Sequence, residues 1–498
     1  MESRGWMRVG LWGLLALGAM ACGEDASEDD QSGSGATAGS SGEEGGTVGG
    51  TRSGGAGGSS GLSGSSGSSG SGGAGGSSGS SGSSGASGSS GSSGSGGDGG
   101  SGGDGGSGGD GGSGGSSGSS GAGGSGGSSG SSGASGSSGS SGSGGASGSG
   151  GETTSVWSMG YYASWQADSY PVSEIEWSGL THIAMAFYMP DSDGSLSLLG
   201  GNPDVAAQVV AAAHANGVKA VASIGGADSA TGFRQATSGP TMDVFVGNLV
   251  ALADFLGYDG VDIDWEPLEL ADEATAIELA DQIRAARPDM LMTIPIGYVN
   301  PNLSTDLSGY PALAAAYDQL NIMSYGMAGA WQGWNSWHSG ALYQTNSATP
   351  LSVDSTVELY LAAGVPVAQL GFGIGFYGLC YSEPVTGPDQ PLDGATILAS
   401  DGAMSFANIM ESYYDEAAHH WDSLARVPYL SFTSPQSPDG CTYISYDDEQ
   451  SIEEKGAYLK SRGLGGVIQW EINEGYLPSA PEGQRSPLLL AVHDYVLN

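Results

Sequence analysis

Basic residues are scarce in this chain. Its 498 residues include 12 Lys and Arg against 53 Asp and Glu, which gives a formal net charge of −41 at pH 7. A surface of this sign repels phosphate backbones, so the composition excludes a nucleic-acid partner. It is compatible with a neutral polysaccharide, and also with the solubility or salt tolerance of an exported protein. The charge alone therefore does not identify a reaction.

Cysteine is also rare, with three residues in the whole chain. Cys22 ends an apolar N-terminal run, while Cys380 and Cys441 lie in the globular part. Two cysteines in an exported domain more often pair than stay free, so we expect Cys380 and Cys441 to form a disulfide. The His and Cys residues do not have the spacing of metal ligands in the sequence. His419 and His420 are adjacent, but no further His or Cys lies nearby to complete a zinc site with them. We therefore expect no metal site and no cofactor.

Proline does not occur before Pro171, and residues 23–152 are nearly all Gly, Ser and Ala with a few acidic residues. Glycine often recurs at every third position, but a collagen helix needs a repeat rich in proline. The segment also lacks the apolar residues that would offset the entropy cost of ordering. We predict a flexible linker that holds a folded domain away from a surface.

The apolar run Val9–Ala21 is too short to span a bilayer, and Arg4 and Arg8 precede it. This pattern predicts an export signal over residues 1–22. The sequence Ala19-Met20-Ala21-Cys22 is similar to a bacterial lipoprotein cleavage box, with Ala19 where Leu is usual. We expect a lipid on Cys22 and a location on the outer membrane or cell surface, since no Asp follows Cys22. An ordinary signal peptide, with secretion, is the alternative.

Short apolar runs alternate with helical stretches after Val156, which predicts one α/β domain over residues 153–498. Eight strand–helix units indicate a (β/α)8 TIM barrel. The predicted strands are Met159–Trp165, His182–Met189, Lys219–Gly226, Gly260–Glu266, Leu291–Gly297, Gln319–Gly326, Gln369–Gly378 and Gly465–Ile472. The predicted helices include Pro203–Asn216, Thr241–Leu256, Ala271–Arg287 and Val353–Ala363.

One interval is too long for a barrel loop. It runs over about residues 379–450, between the seventh strand and the helix before the eighth, and holds Cys380 and Cys441 near its ends. We predict a small α+β insertion with a disulfide at its base.

The strongest chemical signal is the run Asp259-Gly-Val-Asp262-Ile-Asp264-Trp-Glu266 in the predicted fourth strand. Side chains alternate along a strand, so Asp262, Asp264 and Glu266 point the same way, into the barrel. Three neighbouring carboxyl groups in a low dielectric cannot all ionise, so their pKa values must diverge. Such an environment keeps one carboxylic acid protonated near neutral pH and ready to donate a proton.

This run resembles the Asp-x-x-Asp-x-Asp-x-Glu signature of family 18 glycoside hydrolases, the chitinases and their relatives. The resemblance covers the chain from about Met159 to Glu474, and further short motifs follow in the family's order. They are Gly160-Tyr161-Tyr162, Ser223-Ile-Gly-Gly226, Met323-Ser-Tyr325, Phe376-Tyr-Gly378, Tyr443-Ile-Ser-Tyr446-Asp447-Asp448 and Gly465-Gly-Val-Ile-Gln-Trp470.

The resemblance implies a role for each catalytic residue. Glu266 would protonate the glycosidic oxygen, and Asp264 would orient the 2-acetamido group of the substrate, whose carbonyl attacks the anomeric carbon. Asp262 would share a proton with Asp264, and Tyr325 would hydrogen-bond the acetamido oxygen. Trp470 would form the floor under the reacting sugar. The substrate-binding residues implied in this way are Tyr161, Phe187, Ser223, Gly225, Gly226, Trp265, Met323 and Trp470.

One position departs from the family pattern, since Gly326 stands where Asp usually follows the Met-x-Tyr motif. This puts the efficiency and exact substrate in doubt, but not the reaction class. In the loop that follows, Trp331, Trp334 and Trp337 are candidates for stacking on sugars, and the alternative is that they bury the loop itself.

The sequence thus predicts a retaining glycosidase that cleaves β-1,4-linked N-acetylglucosamine polymers such as chitin and its oligosaccharides. An endo-acting enzyme on other acetamido glycans and a non-catalytic sugar-binding surface protein are the alternatives. The expected partners are the polysaccharide and, through the lipid alone, a membrane. We expect a monomer.

We predict that mature protein from a bacterial host carries a diacylglyceryl group on Cys22. Mass spectrometry of the N-terminal peptide should show the added lipid mass, and Cys22→Ser should remove it. A mature N-terminus at Cys22 or elsewhere without lipid would contradict this prediction.

Overall fold

The computed structural model describes residues 156–346 and 348–498. The predicted export signal, Cys22 and the predicted linker lie outside the described residues. The described part begins at Val156, close to the predicted start of the globular domain.

Eight parallel strands close into a barrel in this part of the chain. The barrel strands in spatial order are β1, β2, β4, β5, β6, β7, β8 and β14, and β14 pairs with β1 to close the ring. The strands in chain order are β1 Trp157–Ala163, β2 His182–Pro190, β3 Leu196–Leu198, β4 Lys219–Gly226, β5 Gly260–Trp265, β6 Leu291–Ile296, β7 Gln319–Ile322, β8 Leu370–Gly375, β9 Tyr377–Tyr381, β10 Ile397–Ser405, β11 His419–Asp422, β12 Val427–Gln436, β13 Cys441–Ser445 and β14 Gly466–Trp470. The predicted (β/α)8 fold is confirmed.

Nine α-helices are present in the described part of the chain, and all of them except α7, which lies in the insertion after β8, cover the outside of the barrel. They are α1 Pro203–Ala215, α2 Ala230–Ala236, α3 Thr241–Leu256, α4 Glu273–Ala286, α5 Tyr310–Ala316, α6 Val353–Ala363, α7 Phe406–Ser412, α8 Glu449–Arg462 and α9 Pro487–Ala491, with a π-helical turn Val492–Leu497 at the end. The expectation of eight complete strand–helix units is wrong at one point. The connection from β1 to β2 contains short 3₁₀ turns and no α-helix.

Local sequence signals explain why the helix boundaries were predictable. At α1, the Asn202 side chain accepts a hydrogen bond from the Asp204 N–H, and Pro203 occupies the first turn, where its missing N–H costs nothing. Helix α3 ends at Gly257, whose φ of 83° is a left-handed conformation that glycine adopts without strain. Both ends match the prediction to within one residue.

Burial on both faces defines the barrel strands. All six residues of β5 are buried, because Val261, Ile263 and Trp265 pack outward against the helices while the alternate residues face the barrel interior. The interior holds its own apolar cluster, which includes Met159, Val221 and Ile468. The carboxyl groups of β5 therefore lie next to apolar side chains in the barrel interior.

A five-stranded antiparallel sheet in the order β10-β9-β13-β12-β11 forms a lobe between β8 and β14. Together with α7 it makes the predicted α+β insertion, which we call the lobe. Cys380 and Cys441 lie on the adjacent strands β9 and β13 and form a disulfide, with a Cα–Cα distance of 5.3 Å. The predicted pairing is confirmed.

Among the described residues, no helix combines the length and the apolar character that are needed to cross a membrane.

We predict that the double variant Cys380→Ala/Cys441→Ala unfolds more readily than the oxidised protein. The disulfide links residues 61 positions apart, and in the chain-entropy model a loop of this length stabilises the fold by about 4 kcal/mol. Urea unfolding followed by the circular dichroism of the lobe and barrel measures the loss. Reduced wild type should unfold like the variant, and equal midpoints for oxidised wild type and variant would refute the estimate.

Candidate active site

Glu266 directly follows β5, at the end of the barrel where the carboxyl ends of the strands meet. In barrels of this kind the catalytic residues lie at that face. The Glu266 side chain is partly exposed, whereas Asp262 and Asp264 on the same face of the strand are 0 % and 3 % exposed. The strand thus arranges three carboxyl groups from the closed interior to the accessible mouth.

Asp262, the deepest of the three, accepts hydrogen bonds from three hydroxyl groups. Tyr161 Oη and Ser223 Oγ donate to Oδ2 at 2.9 and 2.8 Å, and Thr293 Oγ1 donates to Oδ1 at 2.5 Å. Burial raises the pKa of Asp262, while the three hydrogen bonds act in the opposite direction. No hydrogen bond joins Asp262 to Asp264 in the described structure, and the proton sharing that the family resemblance implies stays a prediction.

Asp264 differs from Asp262 in having an unsatisfied oxygen. Its Oδ1 is buried and has no hydrogen-bond partner among the described residues. Burial raises the pKa of Asp264 well above its usual value, and the charges of Glu266 and Asp262 raise it further. A buried carboxyl oxygen without a partner is costly, so this atom is suited to a polar group that a ligand brings.

Glu266 has the pKa that a proton donor needs at neutral pH. Burial raises its pKa to about 7, and the negative charges of Asp228 and Asp262 act in the same direction. A carboxyl group with this pKa is protonated in a large fraction of molecules near pH 7 and can both give and take a proton.

Aromatic side chains surround the mouth beside these carboxyl groups. The rings of Trp470 and Phe187 are stacked, with centroids 5.5 Å apart and an interplanar angle of 17°, and Tyr161 lies 5.6 Å from Trp470. Trp165, which is 41 % exposed, continues this aromatic surface beyond Phe187 at 6.0 Å. Flat aromatic surfaces next to polar groups are typical of sites that bind ligands with an apolar face.

Trp470 is held by the lobe as well as by the barrel. Its Nε1 donates a hydrogen bond of 3.0 Å to Oδ1 of Asp401 in β10. Asp401 has a φ of 51°, a left-handed conformation at an irregular point of the strand pair. The lobe therefore contributes directly to the position of this ring.

Tyr325 closes the other side of the mouth. Its ring lies over Gly373, where a Cβ would come within 2.5 Å of it. Burial and the charge of Asp264 raise the pKa of Tyr325, so its hydroxyl stays protonated and can donate. Met323 is partly exposed in the same cluster, and Gly326 has a φ of 61°.

Gly225 and Gly226 permit the close packing of the site. A Cβ on Gly225 would lie 2.1 Å from the main-chain oxygen of Asp264, and one on Gly226 would lie 2.7 Å from the Phe187 ring. Both have positive φ, so glycine is required here for conformation as well as for space.

Within residues 156–346 and 348–498, no three His, Cys, Asp or Glu side chains are grouped as a metal site would require.

Comparison with known sequences agrees with this geometry. The model of Glycosyl hydrolases family 18 matches residues 158–475. The chain belongs to family 18 of the glycosyl hydrolases. A "chitinase-like effector" of Moniliophthora roreri is 27% identical over 372 residues, which cover 64% of this chain and 89% of that protein. Chitinase A1 of Niallia circulans is 29% identical over 290 residues, which cover 51% of this chain and 40% of that protein.

Solved structures of other proteins share the family 18 fold. A group IV chitinase of Ostrinia furnacalis is 22% identical with a TM-score of 0.59, and the match covers 69% of this chain and 100% of that one. A class V chitinase of Nicotiana tobaccum, solved in complex with NAG4, is 22% identical with a TM-score of 0.57, over 68% of this chain and 99% of that one.

Two predicted sugar-contacting residues of the family 18 domain are wrongly assigned. Trp265 is 2 % exposed and lies face to face with Phe233 at 4.7 Å on the outside of the barrel, because it alternates with the inward-facing carboxyl groups. Trp337 is 1 % exposed, and its Nε1 donates to the carbonyl oxygen of Leu351 at 2.9 Å. Neither ring has a face available to a ligand.

Trp331 and Trp334 remain candidates for sugar stacking. Both are partly exposed, and their rings meet edge to face with centroids 4.9 Å apart. They line a cavity of about 430 Å³ together with lobe residues 391–395. The loop after β7 thus divides into an accessible part with two tryptophans and a buried part with Trp337.

Four residues of the site were not predicted from the sequence: Thr293, Asp228, Trp165 and Asp401. Thr293 could have been found, because it pairs with Asp262 across the neighbouring strands β5 and β6. Asp228 and Trp165 closely follow β4 and β1, at the face where barrel sites form. Asp401 had no signal, since it comes from a strand whose contact with Trp470 depends on the fold of the lobe.

We predict that Asp228→Asn lowers the pKa of Glu266. The substitution removes a negative charge that disfavours the ionised form of Glu266, so ionisation becomes easier. The ¹³C carboxyl resonances of labelled glutamate report the titration, and the signal lost in Glu266→Gln identifies the residue.

Asp243→Asn is the matched control, because Asp243 is an exposed carboxylate on α3. It should leave the titration of Glu266 unchanged. An unchanged or higher pKa in Asp228→Asn would show that Asp228 does not act on Glu266.

Proposed function

We propose that this family 18 member is a retaining glycoside hydrolase that cleaves β-1,4-linked N-acetylglucosamine polymers with the help of the substrate's own 2-acetamido group. One observation carries the proposal. An accessible glutamic acid with a pKa of about 7 stands beside a buried carboxyl oxygen that has no partner among the described residues.

Glu266 is the proton donor in this mechanism. It transfers its proton to the glycosidic oxygen as the bond to the anomeric carbon breaks, so the leaving sugar departs as a neutral alcohol. The Glu266 carboxylate then takes a proton from the water that attacks the anomeric carbon in the second step. Its pKa, raised by burial to about 7, suits both steps, and turnover should fall as the pH rises above that value.

The acetamido group of the reacting sugar supplies the nucleophile. Its carbonyl oxygen attacks the anomeric carbon from the face opposite the leaving sugar and forms an oxazolinium ion. Water then attacks from the face that the leaving sugar vacated and breaks the bond to the acetamido oxygen, so the configuration is retained overall. Asp264 accepts a hydrogen bond from the acetamido N–H through the oxygen that lacks a partner, and stabilises the positive charge that develops there. Asp262, fixed by three hydroxyl groups, supports Asp264 from below.

Tyr325 and Trp470 complete the pocket for the reacting sugar. Burial and the charge of Asp264 raise the pKa of Tyr325, so its hydroxyl stays protonated and is available to donate to the acetamido oxygen. The Trp470 ring, held by Asp401 and Phe187, provides the flat floor. Both contacts favour a substrate with an acetamido group and an apolar sugar face.

A second candidate function is sugar binding without turnover. Gly326 replaces the usual carboxylate after the Met-x-Tyr motif, and relatives include proteins described as a "chitinase-like effector" and, among solved structures, a "chitinase-like agglutinin" of Robinia pseudoacacia. Hydrolysis of other acetamido glycans is a variant of the main proposal.

We predict that the full chain hydrolyses chitotetraose but not the fully deacetylated tetramer, which lacks the internal nucleophile. NMR of the first products should show the β-anomer. The α-anomer as first product, or cleavage of both tetramers at equal rates, would contradict the mechanism, and binding of chitotetraose without cleavage would favour the second candidate.

In the same assay Glu266→Gln should lower kcat by about 10²–10⁴-fold, the range that general acid catalysis contributes, while binding of the tetramer is retained. Glu278→Gln, at an exposed glutamate of α4, is the control and should have wild-type activity.

A further inference from the structure

The main chain of Glu266 lies beyond the hydrogen-bond ladders of the sheet. The register of β5 with β4 ends at the pair Gly226 and Trp265, and its register with β6 already ends at Asp262 and Thr293. The proposed proton donor is therefore not fixed by either neighbouring strand, and another element has to hold it.

The loop after β4 takes this place. Ser229, which is 2 % exposed, accepts a hydrogen bond from the Glu266 N–H at 3.0 Å, and its Oγ donates to the carbonyl oxygen of Asp264 at 3.0 Å. The N–H of Ala230, the first residue of α2, donates to the carbonyl oxygen of Glu266 at 3.0 Å. Both main-chain polar groups of Glu266 are thus held by two consecutive residues.

We propose that Ser229 is a positioning residue, which holds the main chain of Glu266 so that its carboxyl group is aimed at the glycosidic oxygen. This inference rests on the proposed function of Glu266. Ser229 does not contact the reacting atoms, and it acts through the N–H of Glu266 and the carbonyl oxygen of Asp264.

Proton transfer is sensitive to such positioning, because a displacement of about 1 Å can lower a rate by about 100-fold. In Ser229→Ala the N–H of Glu266 loses its acceptor and the end of β5 is free to shift. We expect kcat on chitotetraose to fall by about 10- to 100-fold, with KM changed by less than about 3-fold, since the sugar-binding surfaces remain.

The leaving group distinguishes a positioning role from general damage to the site. The sugar that leaves from chitotetraose needs the proton of Glu266, whereas the 2,4-dinitrophenolate that leaves from a dinitrophenyl chitobioside is stable without one. Both substrates form the same oxazolinium ion and depend equally on Asp264. The comparison uses kcat/KM, which reports the step in which the leaving group departs and not the later step in which Glu266 acts as a base. Ser229→Ala should therefore lower kcat/KM for chitotetraose by the factor given above and for the aryl glycoside by less than about 3-fold.

Ser336→Ala is the matched control. Ser336 is fully buried, its Oγ donates to the carbonyl oxygen of Gly387 at 2.7 Å, and it accepts from the Gln390 N–H at 3.1 Å. It makes the same pair of main-chain bonds as Ser229 but does not contact Glu266. Ser336→Ala should change the rates on the two substrates by equal factors. Glu266→Gln removes the acid completely, so its rate losses on the two substrates give the largest difference that a Ser229 variant could show.

Ser229→Cys extends the test if the alanine variant does not fold, because a thiol of similar shape forms weaker hydrogen bonds. It should give a smaller difference between the substrates in the same direction. Equal rate losses on both substrates in the folded Ser229 variant would overturn the positioning role. Cleavage of chitotetraose by the wild type tests the proposed function separately. If the wild type is active and the Ser229 variant loses rate equally on both substrates, the positioning role is refuted while the proposed function stands.

Discussion

The alternation of side chains along β5 forces three carboxyl groups into one narrow, low-dielectric space. Within residues 156–346 and 348–498, no positively charged side chain is among the groups that shift the pKa values of Asp262, Asp264 and Glu266. Hydroxyl donors and retained protons therefore have to compensate for burial in place of ion pairs. The deepest carboxyl group receives the donors, the middle one is left with a free oxygen, and the outermost has a pKa near neutrality. The rest of the barrel has to provide a different environment for each of these three carboxyl groups.

Several features of the surrounding structure make the burial of these carboxyl groups possible. Tyr161, Ser223 and Thr293 come from three different strands and converge on one carboxylate, which a closed ring of parallel strands makes feasible. Glycines at 225 and 226 leave out side chains that would otherwise collide with the main-chain oxygen of Asp264 and with the ring of Phe187. The aromatic side chains of the mouth then leave a flat surface for a ligand beside the outer carboxyl group.

The sequence predicted the barrel well because each of its strands is a short apolar run with its own boundaries. Helix α3 and strand β4 have the predicted limits, since their signals are local. The motif residues of the site were also predictable, because a spacing of two residues on a strand determines which way they face. The same rule, applied to Trp265, would have placed its ring outside the barrel. Trp337, Asp401 and the first barrel connection were not predictable, since each depends on how distant segments pack.

The bond between Asp401 and Trp470 has a consequence for how such a domain can change. The lobe enters the chain between two barrel strands and could be regarded as an exchangeable module with its own disulfide. Yet one of its side chains sets the orientation of the ring on which the barrel would place its ligand. A transplanted lobe without a carboxylate at the position of Asp401 would leave that ring without this hydrogen bond, so the lobe and the Trp470 floor would have to be engineered as a single unit.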